Sequence, residues 1–153
     1  MRNVELNLNC LPQPQYLDFM PSLDCYVNLA KGEGFSIPPR EALDLGIPTV
    51  LTDNTALKTL CRTKYVRSVP SHIREPTWVE IFLQYHGEWF NKTVEDVARA
   101  LKEGYNNYSA YLEKTQHGRA WVKQYLLKNL KPNYLNLVKP QKIILGHRDE
   151  LKL

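Results

Sequence analysis

The rhythm of apolar and polar positions changes about half-way along the chain. From Val4 to Asn9, VELNLN alternates residue by residue, as a half-buried strand does. From Pro14 to Asp24, PQYLDFMPSLD puts Tyr16, Leu17, Met20 and Leu23 at helical spacing. CYVNLA, Cys25 to Ala30, is a short apolar run of the kind found in buried strands. PPREALDLG, Pro38 to Gly46, predicts a short helix, because proline suits the first turn and glycine the C-terminal stop. PTVLTD (Pro48 to Asp53) predicts a strand. NTALKTLCR (Asn54 to Arg62) predicts a helix capped by Asn54 or Thr55, and KYVRSVP (Lys64 to Pro70) a more polar strand.

Strands alternating with helices imply βαβ units and a parallel sheet. After Pro70 the aromatic stretch SHIREPTWVEIFLQYHGEWF follows neither period. Helical patterns then run from Val94 to Tyr105, Tyr108 to Tyr125 and Leu126 to Val138. The first opens on Thr93 as cap with Glu95 and Asp96 in its first turn, where acids complement the helix dipole. With no repeat or linker, residues 1–138 read as one α/β domain ending in helices, and residues 139–153 as a tail.

Composition narrows the class. The 153 residues are 43% apolar and 24% charged, and no apolar run approaches the ~20 residues of a membrane span. The N-terminal residues lack a signal-peptide pattern. Cys10, Cys25 and Cys61 are odd in number and far apart, which predicts buried thiols in the reducing cytoplasm. A net charge of +4 is too small to point to nucleic acid. Lys114 to Lys142 nevertheless holds seven Lys or Arg and no acid, interleaved with Trp121, Tyr125 and Tyr134. That is either a solvated basic helix face or a peripheral docking face for an anionic membrane. His72, His86, His117 and His147 have no metal spacing, and Trp78, Trp89 and Trp121 read as packing residues.

The densest candidate chemistry is KGEGFSIPPREALDLGIPTVLTD, Lys31 to Asp53. Residues 31–37 form a strand-to-helix loop, where ligands of open α/β sheets sit. Gly32 and Gly34 permit close backbone approach, and the amides of Gly34, Phe35, Ser36 and Ile37 can face an anion. Glu41 can accept two hydrogen bonds from a ribose diol, and Glu33 can bind sugar hydroxyls. Taken alone, Glu41 also suits a first-turn acid complementing the dipole, and Glu33 a solvated loop residue.

The whole stretch EGFSIPPREALDLGIPTV resembles the E-x7-E segment of retaining GT-B glycosyltransferases of the "glycosyl transferases group 1" (family 4-like) type. YLDFMPSLDCYVNLA before it, LTDNTALKTL after it and GEWFNKTVEDVARALKEGYNNY further on match the order of elements in that family, over residues 3–138. The resemblance implies a Rossmann-like parallel sheet, the partial C-terminal donor half of a GT-B fold. It implies metal-independent transfer of a sugar, as by a hexosyltransferase, from a nucleoside-diphosphate donor to an unknown acceptor, with retention and no cofactor. Glu33 would be the catalytic-centre residue that contacts the transferred sugar. Glu41 would hold the ribose, and the backbone of Gly34, Phe35, Ser36 and Ile37 the sugar and diphosphate. Ser36 stands where the family has glycine, and Pro39 and Arg40 where it has apolar residues. The family's N-terminal domain and its Arg and Lys pair for the diphosphate have no counterpart here. The expectation is therefore either a half that works with an N-terminal GT-B domain or partner chain, or a non-catalytic remnant or interaction module that keeps the fold.

Overall fold

A computed structural model describes residues 3–138, and the chain divides after Lys123 into two compact units. The first is mixed α/β. Three parallel strands, β1 (Tyr26–Asn28), β2 (Thr49–Thr52) and β3 (Arg67–Val69), lie in the order β1-β2-β3. Their registers, Val27 opposite Val50 and Leu51 opposite Ser68, bring the three carboxyl ends to one edge. Preceding them is α1 (Gln13–Phe19), followed by a short 3-10 turn, Met20–Ser22. Between the strands run α2 (Ile37–Leu45) and a 3-10 turn, Thr55–Leu57, that leads into α3 (Lys58–Cys61).

β2 is the central strand and is buried along its whole length. Its side chains alternate between faces. Leu51 joins Leu43, Leu57 and Leu60, all fully buried, with Cys61, Val66 and part of Trp121 around them. Val50 and Val69 pack with Ala100 and Val97 of α4 (Val94–Asn106). Thr93 caps α4 as the sequence predicts, its hydroxyl accepting the Asp96 amide at 3.1 Å. α5 (Tyr108–Val122) lies close on α2 because residue 118 is glycine: a Cβ there would stand 2.9 Å from Leu43 and 3.3 Å from Tyr65.

The aromatic stretch after Pro70 is an antiparallel hairpin, β4 (Ile73–Val79) with β5 (Gln84–Asn91). It alternates poorly in sequence because it is little covered: Trp78, Ile81, Phe82, Tyr85 and Trp89 are exposed, and of its strand residues only Thr77 is buried. The second unit, described to residue 138, holds α6 (Leu127–Val138), with Pro132 inside the helix and no buried residue.

Three expectations are corrected. Val4–Asn9 forms no strand; Val4, Leu6 and Leu8 are exposed at 71, 77 and 84%. A lone alternating segment with no neighbouring edge gains neither ladder bonds nor a buried face. Within Cys25–Ala30 only Tyr26–Asn28 is strand, and as the outer strand it leaves Val27 41% exposed. Of the cysteines only Cys61 is buried, and burial pushes its thiol up to about 11; Cys10 and Cys25 are exposed. Residues 139–153, expected as a tail, and His147 lie outside the described residues. No helix among the described residues is long and apolar enough to cross a membrane.

Candidate functional site

The loop 31–37 leaves the carboxyl end of β1 and enters α2. Its path is set by residue types that have little choice. Ser36 has left-handed backbone, φ 60°, a conformation that costs most L-residues about 1 kcal/mol or more. Pro38 and Pro39 follow in the first turn of α2, where a missing N–H is harmless. Gly46, φ 80°, ends the helix, and its amide returns to Ala42 and Leu43.

Arg40 fastens the loop from behind. It is buried, and its guanidinium donates to the carbonyls of Phe35 and Ser36, the latter at 2.8 Å. It also lies 3.8 Å from the centre of the Phe35 ring. The polar residue that departs from the apolar pattern thus folds back on the two carbonyls nearest the strained Ser36.

Each glutamate has a partner on another element. Asn28 of β1 donates to Glu33 Oε1 at 3.2 Å and to Ser36 Oγ at 3.3 Å. The Glu33 amide donates to Thr55 Oγ1 at 2.8 Å, and its carbonyl accepts from Ala56 at 3.4 Å. The Tyr16 hydroxyl of α1 donates to Glu41 Oε2 at 2.6 Å. Burial first, and that bond second, push the Tyr16 phenol well above its ordinary value. Tyr26 links the two: burial chiefly raises its phenol, and both Glu33 and Glu41 add to the rise. Both carboxylates thus act on Tyr26, Glu33 from the loop and Glu41 from α2.

Of the other predicted residues, Ser36 is buried, whereas Gly34, Phe35 and Ile37 are exposed. Gly34 faces open space, since a Cβ there would meet nothing within 4 Å. Phe35 and Ile37 are exposed at 48 and 59%. Lys31 is held by the hairpin, pairing with Glu75 at 2.9 Å and lying 5.2 Å from the Trp89 ring centre. With Asn91 it keeps the Glu75 carboxyl below its usual range. Lys92 donates to the Leu29 carbonyl, and burial, then Lys31, lower its ammonium.

Sequence reasoning missed Tyr16, Asn28, Thr55 and Lys92. Only Asn28 carried a signal, as the one amide inside the apolar run CYVNLA. Among the described residues no group of three or more His, Cys, Asp or Glu could hold a metal ion. Neither a protein-family model nor a curated protein matches this chain.

Proposed function

We propose that residues 31–41 form the donor site of a retaining glycosyltransferase, within the Rossmann-like C-terminal half of a GT-B fold. What supports this reading is the loop 31–37 itself, which carries Glu33 and an open Gly34 from the carboxyl end of β1 into α2, the helix that bears Glu41. In this reading the Glu41 carboxylate accepts hydrogen bonds from the ribose diol. Tyr16 orients it by occupying one lone pair and leaving the other oxygen for the ligand. Glu33, oriented by Asn28, accepts from the transferred sugar beside the reacting carbon. The bond from anomeric carbon to diphosphate oxygen breaks, a bond to the acceptor oxygen forms on the same face, and the acceptor proton passes to the leaving phosphate. Charge stabilisation and positioning do the work, and the amides before α2 contribute to both. An N-terminal GT-B domain or partner chain would bring the acceptor.

A second reading, a binding or interaction module without transfer activity, draws support from the internal ties on Glu33, Glu41, Lys31 and Lys92. Isothermal titration of UDP, GDP, ADP and their sugars into wild type and Glu41→Ala tests the donor site. One nucleotide series is expected to bind, and Glu41→Ala to weaken it about tenfold through the lost charge-assisted bonds. Failure of every series to bind removes the donor site. Binding without turnover, after an N-terminal GT-B domain is supplied, leaves the second reading.

A further inference from the structure

None of the loop residues above lines a second polar cavity at the same edge of the sheet. It measures about 320 Å³ and is bounded by Asp53, Lys58, Ser71, His72, Arg74 and Phe90. These residues come from four places. Asp53 follows β2, Lys58 opens α3, and the others lie after β3 or on the hairpin. Before folding, 37 positions separate Asp53 from Phe90 (90 − 53).

Hydrogen bonds fix the floor of this cavity. Asn54, fully buried, donates to Ser71 Oγ at 3.1 Å, and Ser71 donates to the Phe90 carbonyl at 3.1 Å. The Asp53 amide donates to the Val69 carbonyl at 2.9 Å. Lys58, His72 and Arg74 are exposed at the rim. Two permanent cations, an imidazole and one carboxylate therefore line one cavity. Arg74 also reaches Glu88 at 3.0 Å, an exposed pair that a competing anion can displace at little cost.

We propose that this cavity binds the phosphoryl group of a small phosphorylated ligand. Arg74 supplies a planar fork that matches two phosphate oxygens, and Lys58 supplies a point charge. Its volume exceeds what a bare phosphate fills, so a body the size of a sugar is accommodated. Asp53 accepts hydroxyls from that body, and the Phe90 ring, 5.7 Å from the Arg74 guanidinium, backs the cation. The site uses none of the proposed donor residues and stands whether or not the donor reading does.

The test is isothermal titration of the whole chain with glucose 6-phosphate, glucose, inorganic phosphate and UDP. Wild type, Lys58→Ala, Arg74→Ala and Glu88→Gln are compared after circular dichroism has established that each folds. Glucose 6-phosphate is expected to bind and glucose not to. Lys58→Ala and Arg74→Ala each weaken binding about tenfold, and 0.5 M salt weakens it further because the cations are exposed. Glu88→Gln, which releases Arg74 without removing it, keeps or tightens binding. Both sources of a phosphoryl group support the site: a monoester bound where UDP is not identifies a sugar phosphate, and UDP binding lost in Arg74→Ala identifies a nucleotide diphosphate. Lys58 is exposed and on no packing contact of the core, so Lys58→Ala decides if Arg74→Ala does not fold. The proposal is overturned if no phosphoryl compound binds at millimolar concentration, if glucose binds as well as its phosphate, or if Lys58→Ala leaves binding unchanged.

Discussion

The two ends of the parallel sheet are built from different chemistry. At the carboxyl end, side chains and loop backbones close a ring. Phe90 N–H bonds the Lys31 carbonyl, Ser71 bonds the Phe90 carbonyl, and Asn54 bonds both Ser71 and the Ala30 carbonyl. Thr52 adds a second donor to Ala30 at 2.8 Å. The amino end, next to the outer strand β1, instead holds an apolar cleft of about 200 Å³, lined by Val27, Val50, Leu101, Gly104, Tyr105 and Tyr108. The polar ring ties three loops together by directional bonds, whereas the apolar cleft offers no such bonds. The proposed ligand sites both lie at the carboxyl end.

The largest effect should come from breaking the ring. Asn54→Ala leaves Ser71 without its donor and opens a gap in a fully buried site, and it is expected to cost about 2–3 kcal/mol in urea unfolding. A loss under ~0.5 kcal/mol would mean that the ring does not hold the loops. Tyr16→Phe keeps the ring packing beside Met20 and removes only the bond to Glu41, at a cost of about 1 kcal/mol near neutral pH. Its pH profile is the sharper readout. The unfolded phenol ionises near 10.0 while the folded one holds its proton to higher pH. Wild type therefore keeps this stability below pH 10 and loses it as pH rises toward the folded value. Tyr16→Phe should lack that alkaline decline, and an identical decline would rule out this role for Tyr16.

At the amino end the expected sign is opposite. Gly104 lies inside α4, and a Cβ there would meet nothing within 4 Å. Gly104→Ala should raise stability by about 0.5–1 kcal/mol through helix propensity alone, measured as a higher urea midpoint. A fall would show that the cleft is packed more closely than its geometry indicates. The smallest effect is at the hairpin. Lys31 and Asn91 lower the Glu75 carboxyl, so their tie is intact above pH 4.5 and is lost as pH falls through the depressed value. Lys31→Ala should move the Glu75 carboxyl titration, followed by NMR, back toward 4.5. An unmoved titration would separate Lys31 from the hairpin.

The same contrast explains what the sequence made legible. β2, β3, α2 and α4 to α6 were readable because proline, glycine and threonine mark several of their ends and apolar positions recur at strand or helical spacing. Val4–Asn9 misled because alternation says nothing about whether a neighbouring edge exists. The hairpin was illegible because most of its aromatic residues are exposed, so no period of two separates core from surface. Within the candidate site, the loop residues were found because a glycine-rich turn before a helix is a local signal. Tyr16, Thr55 and Lys92 were not, because each reaches its partner across 22 or more positions: Tyr16 to Glu41, Thr55 to Glu33 and Lys92 to Leu29. Arg40 read as a departure from an apolar pattern, and only its buried contacts with Phe35 and Ser36 show what it does.

The most direct test of the central claim is a backbone NMR titration of the ¹⁵N-labelled chain with the nucleoside-diphosphate sugar that binds best. The account predicts shifts concentrated at residues 31–37 and at Glu41, with Asn28, Thr55 and Tyr16 following them, and an undisturbed amino-end cleft. Shifts confined to Val27, Leu101, Tyr105 and Tyr108, or none at saturating ligand, would contradict it.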